Sequence, residues 1–233
     1  MSDVDGTLTI DESLGLSTIQ VIQRLEQCGI SVGLVSGRTL PRLEAVALPL
    51  GITGPIIAEN GGVAKLSIND HLLDLGYSRS EVLNVFDRLR HLFPGCICEL
   101  PDNKDRLIDF SFSVEGIEVK DIIPYLEGVQ VLDSGYMLHL LPAGISKGNT
   151  LKMLLVQLPY NHVFYDNEVV VFGDSSTDLS LFELFKLSVL VPNPRLPRKE
   201  IDQLSGVAAF HSELINGDGF NEVCSHILSL RSC

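Results

Sequence analysis

The sequence predicts an α/β fold: a parallel sheet covered by helices, with a smaller α+β unit inserted into the chain. Short apolar runs alternate with helical patterns in the first and last thirds of the chain, which is typical of a parallel sheet. The runs are apolar throughout, as expected for strands buried on both faces. Between Gly76 and Gly144 the apolar residues alternate singly with polar ones instead, and this change predicts the insert.

The elements outside the insert follow from their start and stop residues. Ser17 is the expected N-cap of a helix that Gly29 ends, and ISVGLVSG follows as a buried strand. Pro41 opens a second helix that Gly51 ends, and PIIAENGG is a strand that runs into a glycine turn. In the last third, we expect helix, strand, helix, strand and helix for SKGNTLKMLLVQL, VVVFG, TDLSLFELF, LSVLV and GFNEVCSHILSL.

The insert is predicted to form a sheet covered by helices on one face. Ser78 and Glu81 form a capping box for one helix, and GIEVKDIIPYLEG is a second helix. Two stretches alternate, YMLHLLP and RLIDFSFSV, and the second places four apolar side chains on one face: Ile108, Phe110, Phe112 and Val114. We therefore expect a cap over residues 76–144 and a core formed by residues 1–75 and 145–233.

Composition narrows the partners that can be expected. The 233 residues include 30 acidic and 17 scattered basic side chains, a formal net charge of -13, so no nucleic-acid partner is expected. No apolar run approaches the roughly 20 residues that cross a bilayer, and no apolar leader opens the chain. We therefore expect no membrane partner and a cytoplasmic location, where the five cysteines would stay thiols.

The opening stretch MSDVDGTLT places two carboxylates close together. Asp3 and Asp5 stand two residues apart in an extended chain, so both side chains project from the same side and can share one hard cation, while Gly6 allows a sharp turn. Mg2+ is the expected cation, because it takes oxygen ligands and keeps substrate phosphate in its shell. One carboxylate can then attack phosphorus while the other protonates the leaving oxygen. Taken alone, an acidic pair near a chain end is more often a solvated turn.

Three further motifs place polar side chains at strand ends or at a helix start. Ser36 follows the strand in LVSGRT, Lys147 begins a helix in GISKG, and Asp174 follows VVVFG with Asp178 one helical turn later. Each of these alone is an ordinary turn or a solvated charge. Because the carboxyl ends of parallel strands meet at one edge of a sheet, a single site can collect them together with the aspartate pair.

In this order the motifs resemble those of the haloacid dehalogenase superfamily of aspartate-nucleophile phosphatases. DVDGT is similar to its first motif, VSG to its second, the SKG lysine to its third and GDSSTD to its fourth, so the resemblance covers essentially the whole chain. The insert lies between the second and third motifs, as in the subclass that carries the large α/β cap on a Rossmann-like parallel-sheet core. GPIIAENGG, SGYMLHL and the chain length look most like the archaeal-type phosphoglycolate phosphatases.

The resemblance implies a role for each motif residue. Asp3 is implied to be the nucleophile and a Mg2+ ligand, and Asp5 the general acid and base that also offers the metal its backbone carbonyl. The presence of Asp5 favours a phosphatase over a dehalogenase, because only phosphoryl transfer requires a proton for the leaving group. The other implied roles are phosphoryl binding by Ser36 and Lys147, metal ligation by Asp174 and orientation of the metal site by Asp178.

Two features depart from the family pattern. Thr177 stands where the family usually has Asn, and threonine keeps a hydroxyl but loses reach and the amide donor. Only Met1 and Ser2 precede Asp3, where family members have a full apolar strand, so we expect Asp3 on a strand that scarcely exists beside a mobile chain end. Either the start lies further upstream or the first strand has been lost, and the otherwise complete motifs favour an upstream start.

Other polar residues are candidates for contacts with the substrate. Asn60 in the NGG turn can hold the nucleophile loop, support phosphate through its amide, or simply form the turn. Arg106 and His139 lie on the alternating stretches of the cap, where they can contact a substrate carboxylate or be plain surface. Arg38 can face the substrate or be solvated. Glu59 can cap a turn or form part of an interface.

The leading hypothesis is a magnesium-dependent phosphomonoesterase acting on a small phosphorylated metabolite, 2-phosphoglycolate, because a closing cap excludes bulky substrates. One alternative is a sugar-phosphate phosphatase of the sucrose-phosphate or mannosyl-3-phosphoglycerate type. Another is a non-catalytic binder of phosphorylated metabolites, if the short first strand abolishes turnover. A phosphorylation-receiver domain shares the acidic strand ends and the lysine, but the insert counts against it. A homodimer through the cap sheet is left open.

Overall fold

A computed structural model describes the chain over residues 1–10, 13–157 and 167–231. Its strands are β1 (Thr9–Ile10), β2 (Ser13–Leu14), β3 (Leu34–Val35), β4 (Ile56–Ala58), β5 (Val63–Lys65), β6 (Ile97–Glu99), β7 (Phe110–Val114), β8 (Val129–Asp133), β9 (Leu138–Pro142), β10 (Val170–Gly173), β11 (Leu187–Leu190) and β12 (Phe210–His211). Its helices are α1 (Leu16–Gln27), α2 (Leu40–Leu50), α3 (Arg79–Leu92), α4 (Val119–Ile122), α5 (Lys147–Gln157), α6 (Leu179–Leu184), α7 (Arg198–Ser205) and α8 (Asn216–Leu230). Within these ranges, none of the helices combines the length and the apolar character that a bilayer crossing needs.

The main sheet is built from two halves that Ser2 joins. On one side β10, β11 and β12 pair in parallel, and on the other β3 and β4 pair in parallel while β5 runs antiparallel to β4 at the edge. Ser2 forms parallel bridges to Leu34 of β3 and to Phe172 of β10. The predicted α/β fold with a parallel sheet is therefore confirmed, and β5 is its antiparallel edge among the described strands.

The short segment before Asp3 is held by hydrogen bonds from both neighbouring strands. The Ser2 N–H donates to the Gly33 carbonyl at 3.0 Å, and the Asp3 N–H donates to the Phe172 carbonyl at 3.0 Å. The Phe172 N–H donates in turn to the Met1 carbonyl at 3.0 Å. The segment forms isolated bridges and no full strand, as expected, but hydrogen bonds on both sides hold the backbone of Asp3 in the sheet.

Both faces of the main sheet are buried under helices. Neighbouring residues Leu34 and Val35 belong to hydrophobic clusters on opposite faces, and so do Ile56 and Ile57, although all four side chains are completely buried. Side chains alternate between the two faces of a strand, so burial of successive residues requires cover on both sides. This arrangement explains why the strands read as continuous apolar runs.

The insert forms a separate antiparallel sheet with strand order β6-β7-β9-β8. One face carries Phe110 and Phe112, which pack with Val82 and Phe86 of α3 in a third hydrophobic cluster. This sheet and α3 support the predicted division into core and cap; the boundaries at 76 and 144 stay a prediction.

Several local details of the prediction are wrong. Ile108 packs against the main core and not with the cap cluster, and β7 begins only at Phe110. The second predicted cap helix ends as an α-helix at Ile122 and continues as a 3-10 turn, because Pro124 lacks the N–H that an α-helix needs. The predicted N-cap Ser17 is also wrong, since α1 begins after Gly15, whereas Ser78 is the N-cap of α3 as predicted but accepts from the Ser80 N–H.

Glu59 explains the late start of β7, because it ties the core to the cap. Its carboxylate accepts hydrogen bonds from the backbone N–H groups of Leu107 and Ile108 at 2.8 Å and of Asp109 at 2.9 Å. Those N–H groups are therefore unavailable for strand pairing. Glu59 is completely buried and adopts a φ of 53°, in the left-handed region that non-glycine residues rarely occupy. Burial raises the pKa of this carboxyl, and the three backbone donors oppose the rise.

Replacing Glu59 should loosen the link between core and cap. In Glu59→Gln an amide group replaces one carboxylate oxygen, so the three backbone donors can no longer all be satisfied, and we expect the free energy of unfolding to fall by about 2 kcal/mol or more. Urea denaturation followed by circular dichroism measures this change. Glu99→Gln, at an exposed cap position, is the matched control, and equal stability of the two variants would contradict the role given to Glu59.

Candidate active site

Asp3, Lys147 and Asp178 form a buried ion-pair cluster at the carboxyl edge of the main sheet. The Lys147 Nζ donates to Asp3 Oδ1 at 2.7 Å and to Asp178 Oδ1 at 2.6 Å. The three side chains are at most 6% exposed, so water screens these charges little. The clustering follows from the fold, because Asp3 leaves the central segment of the sheet, Lys147 opens α5, and Asp178 closes the turn after β10.

Asp174, directly after β10, is fixed beside this cluster. Thr7 Oγ1 donates to its Oδ1 at 2.8 Å, and Asn193 Nδ2 donates to its Oδ2 at 2.6 Å. The Asp178 Oδ2 accepts from the backbone N–H groups of Asp174 at 3.0 Å and Ser175 at 3.1 Å. Hydrogen bonds therefore orient both carboxylates, which leaves them little freedom to turn away from the site.

The cluster contains more negative than positive charge. Burial is the largest cause that raises the pKa of Asp3 well above its usual range, with Lys147 opposing it and Asp178 adding to it. Burial and then the Asp178 charge raise the pKa of Asp174 to about 7. Burial alone would lower the pKa of Lys147, but Asp178 and Asp3 outweigh it and raise that pKa above its ordinary value. A divalent cation would relieve the excess negative charge.

The same carboxylates form a set of oxygen donors for such a cation. One oxygen each of Asp3, Asp174 and Asp178 lies within 4.8 Å of the other two. An all-carboxylate set beside room for water and substrate oxygens is the chemistry that Mg2+ prefers, so the residues present fit this ion. Asp5 does not contribute its carboxylate to this set, and its implied ligation through the backbone carbonyl stays a prediction.

Gly6 allows the first motif to approach Asp174 closely. Its φ is 88°, in the left-handed region, and a Cβ at this position would lie 2.3 Å from Asp174 Oδ2 and 2.6 Å from Asn193 Nδ2. The position therefore requires glycine for both conformation and space. This requirement confirms the sharp turn expected after the aspartate pair.

Gly6→Ala should displace the Asp174 carboxylate and so damage the site. We expect kcat/KM to fall by at least about 100-fold, since displacements of an ångström or so can have effects of this size. Steady-state kinetics measures it. Gly29→Ala is the matched control, because Gly29 also has a positive φ, 73°, yet nothing lies within 4 Å of its added Cβ. That control should lose about 1–2 kcal/mol of stability and keep its activity; a Gly6→Ala enzyme with unchanged kcat/KM would contradict the proposed crowding.

Asp5 is paired with Arg38 at the edge of the same site. The Arg38 Nε donates to Asp5 Oδ2 at 2.8 Å and its Nη2 donates to Oδ1 at 2.5 Å, so the guanidinium contacts both carboxylate oxygens. The Asp5 side chain is 43% exposed, in contrast to the buried cluster. Of the two alternatives for Arg38, the structure places it at the site and not in bulk solvent.

Ser36, Asn60 and Thr177 line the same cavity as Asp3 and Lys147. Ser36 is buried and its backbone carbonyl accepts from the Asn60 N–H at 3.0 Å, so the NGG turn supports the Ser36 loop. The Thr177 hydroxyl accepts from Lys147 Nζ at 3.1 Å. The threonine that replaces the usual Asn therefore still contacts the central lysine.

Arg106 and His139 converge on one carboxylate of the cap, Asp109. The Arg106 Nη1 donates to Asp109 Oδ2 at 2.7 Å, and His139 Nδ1 lies 2.8 Å from the same oxygen. Arg106 also contacts Asp102 through Nε at 2.9 Å and Nη2 at 2.6 Å, and donates through Nη1 to the Gly37 carbonyl at 3.1 Å. The guanidinium of Arg106 thus links the cap to the Ser36 loop.

One cavity of about 550 Å3 connects the core and cap residues. Its wall includes the predicted residues of both: Asp3, Asp5, Ser36, Lys147, Arg106 and His139. Asn60 and Asp174 also line it, whereas Asp178 and Asp109 support it from behind. A volume in this range is typical of sites for small metabolites. The structure therefore brings the predicted residues to one site, while their individual roles stay predictions.

Sequence reasoning missed several residues that shape the site. Asn193, which fixes Asp174, follows β11, and the argument from strand ends that found Asp174 could have found it. Thr7 stands directly in the DVDGT motif, but the motif alone indicates no contact for its hydroxyl. Asp109 offered no signal, because it occupies a polar position of an alternating strand where most residues are solvated.

Comparisons with known proteins agree with this architecture. A family model described as haloacid dehalogenase-like hydrolase matches residues 1–99 and 120–202. A phosphoglycolate phosphatase of Thermoplasma volcanium is 31% identical over 229 residues, 96% of this chain and 95% of the relative. A phosphoglycolate phosphatase of Methanospirillum hungatei is 28% identical over 96% of this chain and 93% of the relative.

Solved structures show the same fold. Protein 0175 of Thermoplasma acidophilum superposes with a TM-score of 0.82 at 25% identity, covering 97% of this chain and 95% of that one. A haloacid dehalogenase-like hydrolase from Bacteroides thetaiotaomicron superposes with a TM-score of 0.76 at 20% identity, covering 97% of each chain.

The parallel-sheet core with its inserted cap and the family model together define a hydrolase. The chain belongs to the haloacid dehalogenase-like hydrolases. The family and the fold class predicted from the sequence are thereby confirmed, and with them the class of enzyme, a phosphoric monoester hydrolase.

Proposed function

We propose that this phosphatase hydrolyses the phosphomonoester of a small metabolite, 2-phosphoglycolate, with Mg2+ and through a phosphorylated Asp3. The observation that carries the proposal is the buried cluster in which Lys147 holds Asp3 Oδ1 while Asp174 and Asp178 stand beside it. The relatives with the name phosphoglycolate phosphatase support the choice of substrate. The proposal includes action in the cytoplasm, as expected from the sequence. A homodimer stays a prediction.

In the first step, Asp3 attacks the phosphorus atom. Lys147 donates a hydrogen bond to Oδ1 of Asp3, which leaves Oδ2 as the oxygen that attacks phosphorus. The bond between phosphorus and the leaving oxygen breaks, and the leaving oxygen takes a proton from Asp5. Ser36 holds one phosphoryl oxygen, and Lys147 exchanges one of its three contacts, the neutral Thr177 hydroxyl, for another.

In the second step, water hydrolyses the phosphorylated Asp3. Asp5, now ionised, takes a proton from the water as its oxygen bonds to phosphorus, and the bond to Asp3 breaks to release phosphate and restore the carboxylate. The Arg38 contact with both Asp5 oxygens fixes the carboxyl group at the edge of the site for these proton transfers. Mg2+, held by Asp3, Asp174 and Asp178, would supply Lewis-acid stabilisation of the phosphoryl charge.

The size of the cavity favours a second candidate substrate class, sugar phosphates. At about 550 Å3, the cavity offers more room than a two-carbon acid fills. A panel of 2-phosphoglycolate, sucrose 6-phosphate, mannosyl-3-phosphoglycerate and p-nitrophenyl phosphate separates the candidates. We expect the highest kcat/KM with 2-phosphoglycolate. Sugar phosphates that exceed it tenfold would move the substrate to the second class, and no phosphate release from any member would contradict the proposed function.

Removal of the metal should abolish turnover reversibly. We expect a chelator to reduce phosphate release to background and added Mg2+ to restore it, because three buried carboxylates need a counter-charge before an anionic phosphate can enter. Mg2+ should also raise the melting temperature, since a ligand that binds the folded state stabilises it. Asp174→Asn is the comparison, and it should weaken both Mg2+ effects. Full activity in the chelator would contradict the metal assignment.

A further inference from the structure

We propose that His139, oriented by Asp109, reads an acidic group on the leaving part of the substrate. The proposal rests on the proposed function and assigns this selectivity to the cap. Two cavity-lining side chains from the cap, among the described residues, can carry positive charge: Arg106 and His139. The contacts of these two side chains show which of them is placed to meet a substrate.

Arg106 is engaged in structural contacts on every nitrogen of its guanidinium. Its Nε and Nη2 donate to Asp102, and its Nη1 donates both to Asp109 and to the Gly37 carbonyl. Its side chain is 3% exposed. A substrate could recruit Arg106 only by breaking a buried ion pair, and such breakage is costly.

His139 is equally buried, at 3% exposed, but its hydrogen bond within the described chain uses only Nδ1 of the ring. Its Nδ1 is turned to Asp109 Oδ2 at 2.8 Å, and Asp109 lies outside the cavity wall that His139 helps to form. The rest of the ring, including Nε2, is therefore what a ligand in the cavity meets. A carboxylate only accepts hydrogen bonds, so Nδ1 carries the hydrogen in this contact.

Asp109 holds the His139 ring in place for a ligand at Nε2. Asp102 and Asp109 contribute two carboxylates against the single guanidinium of Arg106, and the buried Asp109 Oδ1 has no hydrogen-bond partner in the described chain. When both ring nitrogens carry hydrogen, Nδ1 donates to Asp109 and Nε2 can donate to a substrate carboxylate. Asp109 is thus a positioning residue for His139, and Asn60 Nδ2 joins the same oxygen from the core at 3.4 Å.

The test compares two substrates of nearly equal size, 2-phosphoglycolate and 2-hydroxyethyl phosphate, which lacks the carboxylate. We expect the unmodified enzyme to prefer the acid. In His139→Ala, kcat/KM for the acid should fall by at least about tenfold, mostly through KM, while kcat/KM for 2-hydroxyethyl phosphate stays within about threefold. Continued turnover of 2-hydroxyethyl phosphate also shows that the variant is folded.

Two further variants distinguish recognition of the substrate carboxylate by His139 from a purely structural role of this residue. His139→Asn keeps a donor toward Asp109 but loses the reach into the cavity, so it should show the same selective loss. Asp109→Asn should raise KM for 2-phosphoglycolate more than KM for 2-hydroxyethyl phosphate. His91→Asn, at an exposed position on α3, is the control and should leave both rates unchanged.

Each outcome decides between the proposals. Equal losses on both substrates in His139→Ala, or no loss on either, would overturn the reading by His139 and leave the phosphatase proposal intact. An unmodified enzyme that shows no preference for the acid would do the same. An unmodified enzyme that releases phosphate from neither substrate would overturn the proposed function and this inference with it.

Discussion

Asp3→Asn should abolish turnover and leave the fold in place. The substitution keeps the shape of the side chain but removes the negative oxygen that attacks phosphorus, so we expect kcat to fall by about 10^4-fold or more. Lys147 keeps its contact with Asp178, and one of the crowded carboxylates is gone, so the melting temperature should be equal or higher. Steady-state kinetics and thermal unfolding measure the two effects on the same sample.

The matched control for this variant is Asp70→Asn. Asp70 is exposed and lies outside the cavity wall, so its loss of charge changes the net charge of the protein by the same amount without touching the site. Normal activity in Asp70→Asn and none in Asp3→Asn is the expected pair of results. Residual activity of more than about one per cent in Asp3→Asn would contradict the role of Asp3 as nucleophile.

Lys147→Met should reduce both stability and activity. Methionine fills a similar volume but leaves Asp3 and Asp178 buried without their cation, and removal of one member of a buried ion pair costs about 3–5 kcal/mol. Without the positive charge of Lys147 beside the phosphoryl group, kcat/KM should also fall by at least about 100-fold. Chemical denaturation in the presence of a chelator measures the stability term, because a bound divalent cation would offset part of it.

Lys152→Met provides the control for Lys147. Lys152 lies on the same helix, α5, but it is exposed. We expect its stability to change by less than about 1 kcal/mol. If Lys147→Met unfolded at the same denaturant concentration as Lys152→Met, the buried cluster would not have the energetic importance given to it here.

The sequence predicted the core of the site well, because each motif residue stands at a strand end or a helix start that the apolar pattern marks. The carboxyl ends of parallel strands converge, so Asp3, Ser36 and Asp174 meet once the strands are recognised. Lys147 meets them because α5 starts at the same edge. These positions depend on local patterns, and such patterns can be read without a structure.

The connection between core and cap could not be predicted in the same way. Glu59 binds three backbone groups of a segment some fifty residues away, and Asp109 gathers Arg106, His139 and Asn60 from separate elements. No periodicity or spacing records contacts of this kind, since they depend on how two sheets are placed against each other.

Some elements were missed for a simpler reason. The strand β8 was missed because only Val129 and Val131 of its five residues alternate with a polar one, a shorter pattern than that of β7. The helix α7 consists mostly of polar residues with Leu204 as its buried contact. The support of Asp3 by Ser2 was also missed, because two bridges from a single residue leave no pattern in the sequence.

Chemical trapping of the phosphorylated enzyme tests the central claim most directly. The enzyme is mixed with 2-phosphoglycolate and Mg2+, quenched in acid during turnover and reduced with borohydride, which converts a phosphorylated aspartate to homoserine. Mass spectrometry of the N-terminal peptide should show homoserine at position 3, and the same peptide should be unmodified when substrate is omitted. Homoserine at Asp5 or Asp174 in place of Asp3, or an unmodified peptide from every time point of an actively turning-over sample, would contradict the account.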